Sequence, residues 1–333
     1  MFMANSDKIR AGRNRTLTVS EEEIPDLKRI ITFPEELSGK SSFVDLLINA
    51  DALTVLDKIP DECASLIIID PPYNLSKTFN SSKFNAMSDN MYEEYLRTWF
   101  KKVCDKLKPD GSLYMCGDWK CSSSQQKVIS EELTVINRIT WQREKGRGAK
   151  TNWKNAMEDI WFAVKDKDNY YFDVDSVKMK RQVIAPYKEN GKPKDWEETD
   201  EGNFRITFPS NFWDDISIPF WSMPENTDHP TQKPEKLLVL ASSRPGDIVL
   251  DPFVGSGTTC VVAKKLGRHY LGIEIDEEYC LWAAKRLTRA DKDLEIQGYN
   301  GGFFWERNTL NPQKKSTSVK HPRPEEYNQT LFG

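Results

Sequence analysis

The chain reads as an α/β protein built on an open sheet. Three observations predict this. Short apolar runs alternate with segments of helical period, two of those runs end in sharp turns that carry an acid, and a glycine-rich turn joins one apolar run to the next helical segment.

Residues 1–40 are polar and of mixed charge and read as an extended arm, whose start, Met1 to Arg15, lacks the apolar core of a signal peptide. Residues 46–49 predict a short strand and 52–59 a short helix behind Asp51. The apolar run 65–69 predicts a buried strand. It ends at Asp70-Pro71-Pro72-Tyr73, because neither proline can donate to a ladder and each fixes its own φ. The turn therefore holds one carboxylate and one aromatic ring at a strand's carboxyl end, where open α/β sheets bind ligands. An acceptor beside a stacking face suits a planar ring with an exocyclic amine.

The period of 91–107 predicts a helix with Tyr95, Leu96, Trp99, Phe100, Val103 and Leu107 on one face. Residues 109–111 form a turn, 112–116 a strand, 125–133 a helix, and 135–141 and 159–164 two more strands. Residues 41–165 and 229–296 form the catalytic domain on this reading. Between them, 166–228 mix aromatics, prolines and charges without sustained period, which suggests an inserted recognition region rather than sheet core. Helices at 236–241, 258–266 and 277–287 and strands at 247–250 and 269–274 follow, and 297–333 reads as a polar, irregular tail.

Composition narrows the class. Of 333 residues, 38% are hydrophobic and 29% charged, an ordinary soluble balance. No apolar run approaches the roughly 20 residues of a membrane helix. The six cysteines form no CxxC pair and there are three histidines, so no metal site or disulfide framework is expected. This usage suits a reducing cytoplasm. The net charge of −4 does not announce a nucleic-acid binder, so local charge must decide.

A second motif, Asp251-Pro252-Phe253-Val254-Gly255-Ser256-Gly257-Thr258-Thr259, lies between a strand and a helix. Its glycines permit close backbone approach to a ligand, and the helix start offers free N–H groups. Glu274 ends the next strand, where dinucleotide folds place an acid on ribose hydroxyls. The constellation predicts an adenosine-containing cofactor. The loop is not G-x-G-x-x-G, which speaks against a nicotinamide cofactor, and it lacks the Lys-Ser/Thr pair of a P-loop.

The order of these motifs, with His229-Pro230-Thr231-Gln232-Lys233-Pro234 between them, resembles the amino-methylating DNA methyltransferases of the circularly permuted β class, over residues 45–290. The resemblance implies a doubly wound, mostly parallel, seven-stranded sheet that binds S-adenosylmethionine, with 166–228 as the target-recognition region. It implies that Asp70, Pro71, Pro72 and Tyr73 are catalytic: Asp70 and the Pro71 carbonyl accept from the target amine, and Tyr73 stacks on the flipped base. Asp251, Phe253, Gly255, Ser256, Gly257 and Thr258 would cradle the cofactor's methionine part and Glu274 its ribose, with Asp276 as the alternative carboxylate or an ordinary N-cap. Asp51 and Ala52 would hold the adenine, Asp51 being equally readable as an N-cap. His229, Thr231, Gln232 and Lys233 would line the methionine side, Lys233 pairing with its carboxylate.

The implied activity is N6-adenine methylation of specific sites in double-stranded DNA, as the modification enzyme of a restriction-modification system. Cytosine-N4 methylation and a DNA-binding regulator of the same fold remain alternatives. Cytosine C5 chemistry needs a Pro-Cys nucleophile, which this chain lacks. Arg143, Lys145, Arg147 and Lys150, interleaved with Trp141 and Trp153, and Lys180 with Arg181 are the expected DNA contacts. A homodimer and a cognate endonuclease are the partners that the resemblance allows.

Overall fold

The computed structural model describes residues 11–80, 82–143, 150–183, 187–199, 202–238 and 241–305. Its body is a nine-stranded sheet of β1 (Ile31–Thr32), β2 (Leu46–Asn49), β3 (Ala64–Ile69), β4 (Leu107–Gly117), β5 (Thr134–Gln142), β6 (Met157–Val164), β7 (Phe212–Trp213), β8 (Ile248–Asp251) and β9 (His269–Glu274). The spatial order is β1-β2-β9-β8-β3-β4-β6-β5-β7. Only β6 opposes its neighbours; every other pairing in this sheet is parallel. The sheet thus has nine strands where seven were expected, with β1 and β7 at its two edges. Each has two residues, too few to show any period in the sequence.

β3 shows why the sheet is central. All six of its residues are buried, as a strand covered on both faces requires. Alternation sends Leu66 and Ile68 into one core with α5 (Thr258–Lys265) and α6 (Glu277–Ala290). It sends Ile67 and Ile69 into the other with α3 (Asp89–Asp105) and α4 (Ser122–Glu132). The chain runs from β3 to β4 on one side and from β8 to β9 on the other. The neighbouring strands β3 and β8 thus form the topological switch point, at whose carboxyl ends open α/β sheets bind ligands.

The two ends of the sequence differ from their expected forms. Among the described residues of the arm, Leu17 is buried against Tyr279 and Trp282, α1 (Ile24–Lys28) buries Leu27 in the core that α6 lines, and β1 pairs in parallel with β2. A single leucine in a polar stretch carries no periodic signal, so its docking was not legible. In the tail, Phe303–Trp305 pairs with Met179–Gln182 and with Tyr299–Asn300, completing a five-stranded sheet with Glu197–Thr199 and Gly202–Thr207 from the segment 166–228. Gly301 and Gly302, both at positive φ, make the connecting turn. The helix expected at 236–241 appears as a single 3-10 turn, Glu235–Leu238, within the described residues.

Candidate active site

Asp70 directly follows β3, and the turn behind it is held from α3. Tyr92 donates its hydroxyl to the Pro72 carbonyl at 3.0 Å. Asn74 bonds both ways with the Met87 backbone, each bond 2.8 Å long. Asp70 Oδ1 accepts from the Tyr73 hydroxyl at 2.9 Å, and Oδ2 accepts from Lys233 Nζ at 2.7 Å. The same hydroxyl lies 3.1 Å from Glu158 Oε2. Lys233 Nζ is 3.3 Å from that oxygen, and Arg143 Nη1 donates to Glu158 Oε1 at 2.7 Å. Burial, Asp70 and Glu158 together push the Tyr73 phenol well above its ordinary pKa, so it stays protonated.

The glycine turn follows β8. Asp251 is buried and accepts from Phe253 N at 2.9 Å and from the Thr259 hydroxyl at 2.6 Å. Glu274, at the end of the adjacent β9, accepts from Gly255 N at 2.8 Å and Asp276 N at 2.9 Å. Burial raises the Glu274 carboxyl to about 7, against these backbone donors, and raises Asp251 to about 7 as well. Gly255 has φ +52°, and a Cβ there would stand 3.0 Å from His229 Nε2. His229 is held neutral, its pKa lowered to about 3 by burial and by nearby Lys233. Its Nδ1 accepts from Thr231 N at 3.3 Å, which leaves the ring proton on Nε2, facing the loop. Phe253 meets Trp99 edge-on, with ring centroids 5.0 Å apart.

Several side chains stand elsewhere than the sequence suggested. Lys233 was expected at a cofactor carboxylate, but its ammonium is held by Asp70 and Glu158. The Gln232 amide is engaged by its own loop, accepting from Thr227 N at 2.8 Å and donating to the Glu225 carbonyl at 2.7 Å. Thr258 donates to the Lys233 carbonyl at 3.0 Å and accepts from Arg286, which also binds the carbonyl of buried Ser256. These two side chains thus brace the loop. Asp51 accepts from Leu53 N at 2.9 Å as the N-cap of α2 (Ala52–Val55), and Asp276 caps α6 through Glu278 N and Tyr279 N. Ala52 is buried behind Asp51.

Of the expected DNA contacts, Lys145 and Arg147 lie outside the described residues. Arg143 is committed to Glu158. Lys150 is exposed, Lys180 sits over the Phe204 and Trp305 rings at 4.8 and 4.6 Å, and exposed Arg181 bonds Met179 Sδ at 3.1 Å. Trp141 is core, donating to the Ile216 carbonyl at 2.9 Å, whereas Trp153 is 98% exposed. Among the described residues, no three His, Cys, Asp or Glu side chains gather as metal ligands, and no helix is long and apolar enough to cross a membrane.

Sequence reasoning missed Glu158. Its one signal was local: Glu158 and Asp159 open the apolar run of β6, so an acid there must either face the sheet edge or find a cation. It also missed Arg286, which ties α6 to Glu235 at 3.0 Å beneath the glycine turn.

A carboxylate that follows one strand, a glycine turn after its neighbour and an acid ending the strand beyond stand together at the switch point, an arrangement that suits a group-transfer enzyme with a nucleoside cofactor. Residues 64–286 match the family model described as DNA methylase, the N6/N4 methyltransferase model, and the chain belongs to that family. It is 35% identical over 253 residues to DNA adenine methyltransferase YhdJ of Escherichia coli (strain K12), covering 73% of this chain and 83% of that one. It is 33% identical over 259 residues to Type II methyltransferase M.HpaI of Haemophilus parainfluenzae, covering 76% of each. Among solved structures, the PvuII DNA methyltransferase (cytosine-N4-specific) superposes with a TM-score of 0.55 at 21% identity, covering 72% of this chain and 85% of that chain, a likeness of fold.

Proposed function

We propose that the chain is the modification methyltransferase of a restriction-modification system, moving a methyl group from S-adenosylmethionine to the N6 amine of adenine in duplex DNA. The carrying observation is the position of Asp70: at the switch point, beside the glycine turn, with a carboxylate oriented by two donors. The names of the two relatives support adenine and a Type II context. The body 41–165 and 229–296 would carry the chemistry, and 166–228 would read the target in cytoplasmic DNA.

The pocket residues suit the cofactor. Gly255 and Gly257 make the turn at positive φ, the His229 Nε2–H faces the loop, and each Glu274 oxygen retains a lone pair for a ribose hydroxyl. When bound, S-adenosylmethionine supplies an electrophilic methyl on a sulfonium. The chain supplies orientation. The adenine amine is a poor nucleophile because its lone pair is delocalised into the ring. Asp70 and the Pro71 carbonyl accept its two N–H groups, localise the lone pair and aim it. The nitrogen sheds one proton on methylation, and Asp70 is the carboxylate in contact with it. Exposed Lys150 and Arg181, with Lys145, Arg147 and Lys180, would meet phosphates, and Trp153 offers an open ring face to bases.

The test is incubation with unmethylated mixed-sequence duplex and methyl-labelled S-adenosylmethionine, followed by digestion to nucleosides. N6-methyladenine is the expected product. N4-methylcytosine would move the same chemistry to the other base, and unlabelled DNA would overturn both.

Cofactor affinity should depend on pH through Glu274. Its folded-state pKa, about 7, lies above the ordinary 4.5. The stabilising contribution of its neutral form is thus complete below 4.5 and lost as pH rises through about 7. Ribose hydroxyls donate best to the ionised form, so binding should strengthen from pH 6 to 8 and release protons. Calorimetry in buffers of different ionisation enthalpy measures this. Glu274→Gln should weaken binding and flatten the profile; an unchanged profile would remove Glu274 from the ribose.

A further inference from the structure

Four ionised side chains from separate parts of the chain meet around the catalytic turn: Asp70 after β3, Arg143 after β5, Glu158 on β6 and Lys233 before the 3-10 turn. Two carboxylates and two cations cancel formally. Glu158 is 4% exposed and Lys233 8%. Burying charges on this scale adds little stability, since apolar residues of similar volume often serve as well. The hydrogen-bond geometry gives these charges a role beyond folding.

The Tyr73 hydroxyl has one proton and two carboxylate oxygens within reach, Asp70 Oδ1 at 2.9 Å and Glu158 Oε2 at 3.1 Å. Asp70 Oδ2 is taken by Lys233, so Oδ1 is the oxygen left for an incoming amine. We propose that Glu158 is a positioning residue for methyl transfer: it holds Lys233 against Asp70 Oδ2 and receives the Tyr73 hydroxyl when the target amine claims Asp70 Oδ1. This rests on the methyl-transfer reading above.

The hydroxyl needs only to rotate about its C–O bond, because Glu158 already stands within hydrogen-bond distance. Without Glu158, the phenol and the amine compete for one oxygen, and Lys233 loses one of its two anions. Arg143 acts through Glu158. Burial by itself would raise the Glu158 carboxyl, but Lys233 and Arg143 hold it below the usual range. Burial would likewise lower the Lys233 ammonium, but Asp70 and Glu158 outweigh it and hold it high. The groups facing Lys233 are Asp70 and Tyr73 from the turn, Cys116 from β4 and Glu158 from β6, with the charges of Lys77 and Arg143 and the neutral His229 farther out.

The test compares wild type, Glu158→Gln, and the charge-balanced double variant Glu158→Gln with Lys233→Met. The substrates are mixed-sequence duplex and labelled S-adenosylmethionine. Glu158→Gln should lower kcat about 10- to 100-fold while the apparent KM for DNA and the cofactor Kd change by less than about threefold. The alkaline limb of its kcat profile should move to lower pH, because Lys233 has lost an anion. The double variant should recover the melting temperature that the single one loses and remain slow. Wild-type kcat in either variant overturns the proposal, and the double variant decides the matter if the single one does not fold. A wild-type protein that transfers no methyl to DNA overturns the underlying reading instead.

Discussion

Replacing Asp70 with alanine is expected to lower methyl transfer by about 100- to 1,000-fold or more, the usual consequence of removing a group aimed at the charge developing in a transition state. Cofactor binding should survive, because the Asp251, Gly255 and Glu274 contacts do not involve Asp70. Asp70→Asn separates acceptor from charge. Its single carbonyl oxygen can face Lys233 or the amine but not both, since Lys233 Nζ occupies Oδ2 at 2.7 Å in the native site. The amide –NH2 then confronts a donor on the other side. An intermediate rate is expected for Asp70→Asn and a near-zero rate for Asp70→Ala. Single-turnover transfer of labelled methyl measures both, with equilibrium dialysis of the cofactor as control. An Asp70→Ala protein that turns over normally would remove the carboxylate from the mechanism.

The features legible in the sequence were those written locally. Two prolines after an apolar run marked the end of β3, and two glycines between a strand and a helix marked the turn after β8. The order of these motifs pointed to the class of enzyme. The relations that complete the site are long-range and have no local signature. Lys233 reaches Asp70 across 163 positions and Glu158 lies 85 positions from Tyr73. The resemblance gave Lys233 the cofactor's carboxylate as its anion, and only the fold brings it to Asp70 and Glu158. Arg143 read as one more cation in a basic run, and only the pairing of β5 with β6 brings it to Glu158. The five-stranded sheet was hidden for the same reason. Two of its strands come from the tail, Tyr299–Asn300 and Phe303–Trp305, the second beside Met179–Gln182. Each is too short to report a period.

Gly257→Ala should be the most damaging small substitution in the cofactor loop. Gly257 opens α5 with φ +86°, a conformation costly to any residue with a Cβ. The added carbon would also stand 2.6 Å from Ala283 Cβ and 2.8 Å from Ala283 Cα. Ala283 is buried on α6, on the same face as Arg286, which binds the Ser256 carbonyl and Thr258 hydroxyl of the same loop. Neither helix can yield without disturbing the turn between them. Strain and overpacking together should cost on the order of 2–4 kcal/mol, read by urea denaturation, and should weaken cofactor binding. Adding Ala283→Gly removes the nearer collision, but the α6 backbone still crowds the new methyl and φ stays positive. Partial rescue is therefore expected, with a favourable coupling between the two positions. Full rescue would assign the whole cost to the collision, and no rescue would assign it to the backbone. If Gly257→Ala melted and bound cofactor like wild type, the loop would be free to adopt another conformation, and the close approach of α5 to α6 would not shape the pocket.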